Sequence, residues 1–132
     1  MLLSQEEIEL VQEAIWLAKR ARASNPPKYG EIDLRDPSVF QSAFAEETVQ
    51  QRALYRFIDN LPRADRGMLQ AVMYLGRTGS SHTRKTFRAL RERMRRDSDD
   101  AARQMTEKAS LPEYLRNGLK KLGLRSKKLR QR

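Results

Sequence analysis

The sequence predicts an all-α protein: a single compact domain of five or six helices followed by a basic C-terminal tail. Three observations carry that expectation. Apolar residues recur at helical spacing, and no segment alternates cleanly as a strand would. Helix-start and helix-stop residues punctuate the chain throughout. The 132 residues, 39% of them hydrophobic, suit one modest core. The domain is expected over residues 1–123 and the tail over 124–132.

The first helix opens on Ser4 and Glu7, spaced as a capping box in which each side chain satisfies the other residue's free N–H. Ile8, Val11, Ile15 and Ala18 form its apolar stripe, widened by Leu10, Ala14, Leu17 and Ala21. Trp16 lies off the centre of that stripe and reads either as a core-edge residue or as an exposed anchor, with the core edge favoured because a lone Trp usually buries most of its ring. Ser24-Asn25-Pro26-Pro27 ends the helix near Ala23, and residues 24–36 read as a loop. Asp36-Pro37 starts a second helix, with Asp as cap and Pro at the first helical position. Its apolar positions are Phe40, Ala43, Phe44, Leu54, Phe57, Ile58 and Leu61. The polar stretch Glu46–Gln51 is a candidate break within it.

Leu61-Pro62 turns the chain into a third helix, from about Arg63 to Leu75, with Met68, Leu69, Val72, Met73 and Leu75 as its apolar face. Gly76 and Gly79 supply the stop, and Ser80 or Ser81 is expected to cap a fourth helix bearing Phe87, Leu90 and Met94. Asp97-Ser98-Asp99-Asp100 then interrupts the chain before a short fifth helix over Ala101 to Ala109. Ser110 and Glu113 repeat the capping-box spacing, with Pro112 tolerated in the first turn. Tyr114, Leu115, Leu119 and Leu122 follow, and Gly123 closes the last helix.

Charge is the strongest functional signal. The chain carries 27 Lys and Arg against 17 Asp and Glu, a net charge of +10. Residues 1–61 hold 7 basic and 10 acidic side chains, whereas residues 62–132 hold 20 and 7. Such asymmetry points to a polyanion or an acidic protein surface as partner, although a basic surface also serves solubility. No apolar run approaches the roughly 20 residues of a membrane span, which argues against a membrane protein. The N-terminus lacks a basic start and an apolar stretch, so no secretory signal is expected. The absence of cysteine fits a reducing, cytoplasmic setting.

The fourth helix concentrates this charge. Arg84, Arg88, Arg91 and Arg95 fall within one narrow stripe at 100° per residue. Lys85, Arg93 and Arg96 occupy its other exposed faces, and Glu92 is the only acid between Arg84 and Arg96. Guanidinium groups pair bidentately with phosphate, which suits this helix to nucleic acid. The alternative is that the arginines pair with acids of the first half, such as Glu6, Glu9, Glu13, Glu46 and Glu47. The stretch Arg116–Arg132 adds eight basic residues and no acid. Lys120, Lys121, Arg125, Lys127, Lys128 and Arg130 within it are candidates to track a phosphate backbone, or to solubilise the tail. The third and fourth helices suit either a helix-turn-helix, with a join about two residues longer than usual, or an ordinary helical hairpin. Thr78, Ser80, Ser81 and Thr83 are candidate phosphate contacts, with helix capping as their ordinary role. Tyr74 and Tyr114 sit at helical spacing with leucines and are expected in the core.

Signs of catalysis are sparse. His82 is the single histidine, so a triad or a His-containing metal cluster rests on it alone. No carboxylate pair stands out, and no glycine-rich phosphate loop occurs. The expectation is a non-enzymatic protein with no cofactor and no metal. Its partner would be DNA or RNA or, alternatively, an acidic protein surface met as an adaptor, inhibitor or assembly factor. Self-association through the first or second helix is compatible with both.

Two further elements resemble a family of short bacterial proteins that carries only a domain-of-unknown-function label. The first is Met73-Tyr74-Leu75-Gly76-Arg77-Thr78-Gly79, similar to an apolar helix ending in Trp-Leu-Gly-Arg-Gly, with Tyr for Trp and Thr inserted. The second is Leu111-Pro112-Glu113-Tyr114-Leu115-Arg116-Asn117-Gly118-Leu119-Lys120-Lys121-Leu122-Gly123, similar to the family's Pro, acid-Tyr-Leu, Gly-Leu and closing Leu-Gly. The resemblance spans about residues 53–123 and implies an all-helical domain with no known activity. Arg116, Lys120 and Lys121 stand where the family pattern has acids.

Overall fold

A computed structural model describes residues 2–24 and 49–124. It is all-helical among the described residues. The helices are α1 (Gln5–Ser24), α2 (described over 49–59), α3 (Arg63–Gly76), α4 (Phe87–Arg96), α5 (Ala101–Thr106) and α6 (Leu111–Lys121). A 3-10 turn over Arg84–Thr86 leads into α4. The loop expected over 24–36, the start at Asp36-Pro37, and Phe40, Ala43 and Phe44 lie outside the described residues. Of the candidate break, Val49–Gln51 are helical.

The helix α1 begins as its sequence requires. Ser4 Oγ accepts the Glu7 N–H at 3.1 Å, and Glu7 Oε1 accepts the Ser4 N–H at 2.9 Å. Ile8, Val11, Ala14, Ile15, Ala18 and Ala21 are buried. Trp16 is not at the core edge: it is 51% exposed, with the Arg20 guanidinium 4.7 Å above its ring. At 100° per residue it lies roughly 150° from the centre of the buried stripe, so burying it would require turning the stripe outward.

The helix α3 is the hub. Residues Gly67 to Met73, Leu75 and Gly76 are all buried, the pattern of a helix surrounded by protein. It packs chiefly on α4 and α6. Three glycines allow those close crossings. A Cβ on Gly67 would strike the Arg95 backbone of α4, one on Gly76 the Tyr114 carbonyl of α6, and one on Gly118 the Val72 carbonyl of α3. Gly76 is therefore set by packing rather than by a left-handed stop; positive φ occurs at Gly79 (78°) and Gly123 (87°).

Arg66 clamps the turn before α3, its Nη1 donating to the carbonyls of Asp59 (3.2 Å) and Leu61 (3.1 Å). The start of α3 meets the end of α4. Gly67 abuts Arg95, and Arg63 Nη1 donates to the carbonyls of Arg95 (3.4 Å) and Arg96 (3.3 Å). Ten residues, 77–86, join α3 to α4, against the three or four that make the turn of a helix-turn-helix. Phe87, Leu90 and Met94 are buried as expected.

Three caps differ from expectation. Neither Ser80 nor Ser81 is a cap: Thr83 is the N-cap of the 3-10 turn that leads into α4, extended and with its N–H donating to Thr86 Oγ1 at 2.9 Å, and Thr86 is the N-cap of α4 itself. Ser80 Oγ instead accepts the His82 N–H at 3.1 Å. The second expected capping box is absent, because Ser110 makes no side-chain cap bond and Glu113 turns to Arg22 of α1. The short α5 stops at Thr106, whose hydroxyl bonds back to the Ala102 carbonyl at 2.8 Å. At the end of α6, Gly123 N–H donates to the Lys120 carbonyl and Leu124 N–H to the Leu119 carbonyl, both at 2.9 Å. That is the Schellman arrangement a left-handed glycine permits.

Candidate nucleic-acid interface

With Phe87, Leu90 and Met94 turned inward, the basic residues of α4 must lie on its outer faces. Arg88, Arg95 and Arg96 of α4 are exposed, as are Arg84 and Lys85, which belong to the 3-10 turn before it and not to the helix itself. Among the described residues, Arg84, Lys85, Arg88 and Arg96 form no ion pair, and Arg95 has only Glu92 at 3.9 Å. Their charge is thus largely uncompensated within the described chain.

Arg91 differs. It is half-buried, and its guanidinium grips the Glu7 carboxylate through both Nη1 and Nη2 while Nη1 also donates to the Leu2 carbonyl at 3.3 Å. The stripe expected from spacing is therefore divided. One arginine ties α4 to the N-terminal segment, while its neighbours remain open. Burial on its own would raise the Glu7 pKa. The hydrogen bond and charge of Arg91, together with the bonds from Ser4, outweigh burial and hold it below its ordinary 4.5. The acids proposed as alternative partners did not include Glu7; its position as a cap residue masked this second role.

The last helix brings a second set of cations to the start of α4. Lys120 and Lys121 are exposed, and Lys121 Nζ donates to the His82 carbonyl at 3.4 Å. Arg84 Nη1 lies 3.7 Å from the position a Cβ would take on Gly123. Arg84, Lys85 and Arg88 thus share one end of the molecule with Lys120 and Lys121, where the chain continues past Leu124 into its basic terminus. Arg125, Lys127, Lys128 and Arg130 lie outside the described residues. His82 serves here through its backbone, and Tyr74 and Tyr114 are half-buried against the core as expected.

Other arginines pair with carboxylates at the surface of the fold. Arg22 pairs with Glu113, and Arg63 with Asp99. Arg103 lies between Asp100 and Glu107 and holds the Asp100 carboxyl below its ordinary value. The Arg63 role has no signature in the sequence, because the α4 carbonyls it reaches lie more than thirty residues away.

A groove of about 310 Å³ runs along α4 beside the N-terminal segment. Leu2, Ala64 and Phe87 give it an apolar floor; Arg88, Arg91, Glu92 and Arg95 line its polar side. Sequence spacing identified the arginines but not the groove, since Leu2 and Ala64 come from distant segments. Among the described residues no helix is long and apolar enough to cross a membrane.

Neither the curated proteins nor the solved structures hold a match to this chain. A family match does exist, and it takes in nearly all of the described α2 together with α3 to α6, as the Gly76 and Pro112–Gly123 elements implied. Over residues 51–124, more than half its length, the chain belongs to the family described as "Protein of unknown function (DUF3775)".

Proposed function

We propose that this protein is a small non-enzymatic nucleic-acid-binding protein that contacts phosphates through α4, the end of α6 and the basic terminus. The observation that supports this reading best is the convergence of Arg84, Lys85, Arg88, Lys120 and Lys121 at one end. These side chains are exposed, and none pairs with a carboxylate among the described residues. Backbone contacts of this kind give salt-dependent binding with little sequence preference.

Two charge-matched double variants test the reading. Arg84→Ala with Arg88→Ala removes open arginines, whereas Arg22→Ala with Arg103→Ala removes arginines already held by carboxylates. The first pair should weaken binding to a random oligonucleotide about tenfold or more at low salt and flatten its salt dependence by about two contacts. The second should leave affinity nearly unchanged. Equal effects would show that only net charge matters and would refute a defined interface. The acidic-protein alternative gains if nuclease-treated protein ignores every nucleic acid and captures one stoichiometric protein.

A further inference from the structure

The groove beside α4 has features that exposed arginines alone do not supply. A guanidinium carries five N–H donors. In Arg91 three are used, two on Nη1 by the Leu2 carbonyl and Glu7 Oε1, and one on Nη2 by Glu7 Oε2. The remaining two, on Nε and Nη2, share one edge of the planar fork and take no partner among the described residues. Glu7 therefore fixes the orientation of Arg91 while leaving a bidentate edge unfilled, the geometry that suits two oxygens of one anion. Arg88 and Arg95 flank it along the same groove, over an apolar floor of Leu2, Ala64 and Phe87.

Charge narrows the anion class. Arg88, Arg91, Arg95 and Glu92 line the groove, and Glu7 pairs with Arg91 beside it, leaving one positive charge in excess. A phosphodiester carries one negative charge, and its sugar carbons offer apolar surface to the floor. We propose that this groove seats one phosphodiester of a nucleic-acid backbone, with Arg91 as the fixed bidentate donor and Arg88 and Arg95 beside it. This rests on the nucleic-acid reading and sharpens it. The patch of Arg84, Lys85, Lys120 and Lys121 attracts the polyanion, and the groove sets where one phosphate stops.

The test follows arginine side-chain and backbone N–H resonances of the full chain by NMR. Three probes are compared: a short oligothymidylate, the same oligomer with neutral methylphosphonate linkages, and dimethyl phosphate. The charged oligomer should shift Arg91 Nε–H and the Ala64 amide, and Arg95→Gln should weaken its binding several-fold while the Arg91 shift shrinks. The neutral oligomer should leave Arg91 unmoved. Binding that shifts the Arg84 resonance and leaves Arg91 Nε–H in place would overturn the groove assignment while the nucleic-acid reading stands. Dimethyl phosphate in the groove without any oligomer binding would overturn both, since the phosphodiester would then come from another source.

Discussion

Replacing Glu7 by Gln probes two consequences of one contact. The carboxylate accepts hydrogen bonds from Ser4 N–H at 2.9 Å and from both terminal nitrogens of Arg91. Glutamine keeps one acceptor oxygen and sets its NH₂ against a donor, so at least one of these bonds is lost. A hydrogen bond to a charged group contributes about 1.5–3 kcal/mol and a cap about 1 kcal/mol. Relief of carboxylate desolvation offsets part of that loss. The two side chains are only 18% and 30% exposed, so solvent screening is limited. The net expectation is a destabilisation of about 2 kcal/mol, or a Tm lower by on the order of 10 °C for a domain of this size. Urea unfolding followed by helical circular dichroism measures it; the exposed Trp16 is a poor fluorescence probe.

The same variant releases Arg91 from the contact that fixes its guanidinium, so the shift of Arg91 Nε–H on binding the charged oligomer should shrink although the net charge rises by one. Its pH behaviour is also specified. The pKa of Glu7 is lower in the folded state than in the unfolded chain, so its contribution is complete above the unfolded value near 4.5. It is lost as pH falls through the folded value. Parent and variant should therefore differ at neutral pH and converge in acid. A variant as stable as the parent at neutral pH would refute the view that Glu7 and Arg91 anchor α1 to α4.

Further substitutions test the rest of the fold. Gly118→Ala would place a Cβ 2.8 Å from Val72 Cγ1 and closer still to the Val72 carbonyl. Strain of about 1–3 kcal/mol should exceed the roughly 1 kcal/mol gained in helix propensity, and a variant of higher Tm would contradict the close α3–α6 crossing. Phe87→Ala should cost about 3–5 kcal/mol in chemical denaturation, since the ring is 1% exposed. Trp16→Ser should change stability by less than about 0.5 kcal/mol, and a large loss would mean that the Trp16 ring is covered in solution.

The helical plan could be read along the chain because its determinants are local. The Ser4–Glu7 box, the Leu61-Pro62 turn, the Phe87–Leu90–Met94 face and Gly123 each act within a few residues. What escaped depends on contacts across the chain. Gly76 reads as a stop until α6 is seen packed against it. Glu113 reads as a cap partner until Arg22 of α1 reaches it. Arg91 is indistinguishable from Arg88 in spacing, yet the N-terminal segment claims one and leaves the other open. Trp16 is set by local geometry alone, since its angle on the helix places it opposite the buried stripe.

The central proposal, phosphate contact by the exposed cations gathered where the end of α6 lies beside the turn into α4, is tested most directly by salt. Affinity for duplex DNA, single-stranded DNA and RNA would be measured by fluorescence anisotropy from about 50 to 200 mM salt. Engagement of Arg84, Lys85, Arg88, Lys120 and Lys121 corresponds to about five contacts. The slope of log affinity against log salt should then be about −4.5 on duplex or about −3.5 on single strands, a loss of roughly 500-fold on duplex over that range. A steep slope on at least one polymer is the expected result. No binding at the lowest salt, or affinity indifferent to salt, would contradict it and turn attention to an acidic protein partner.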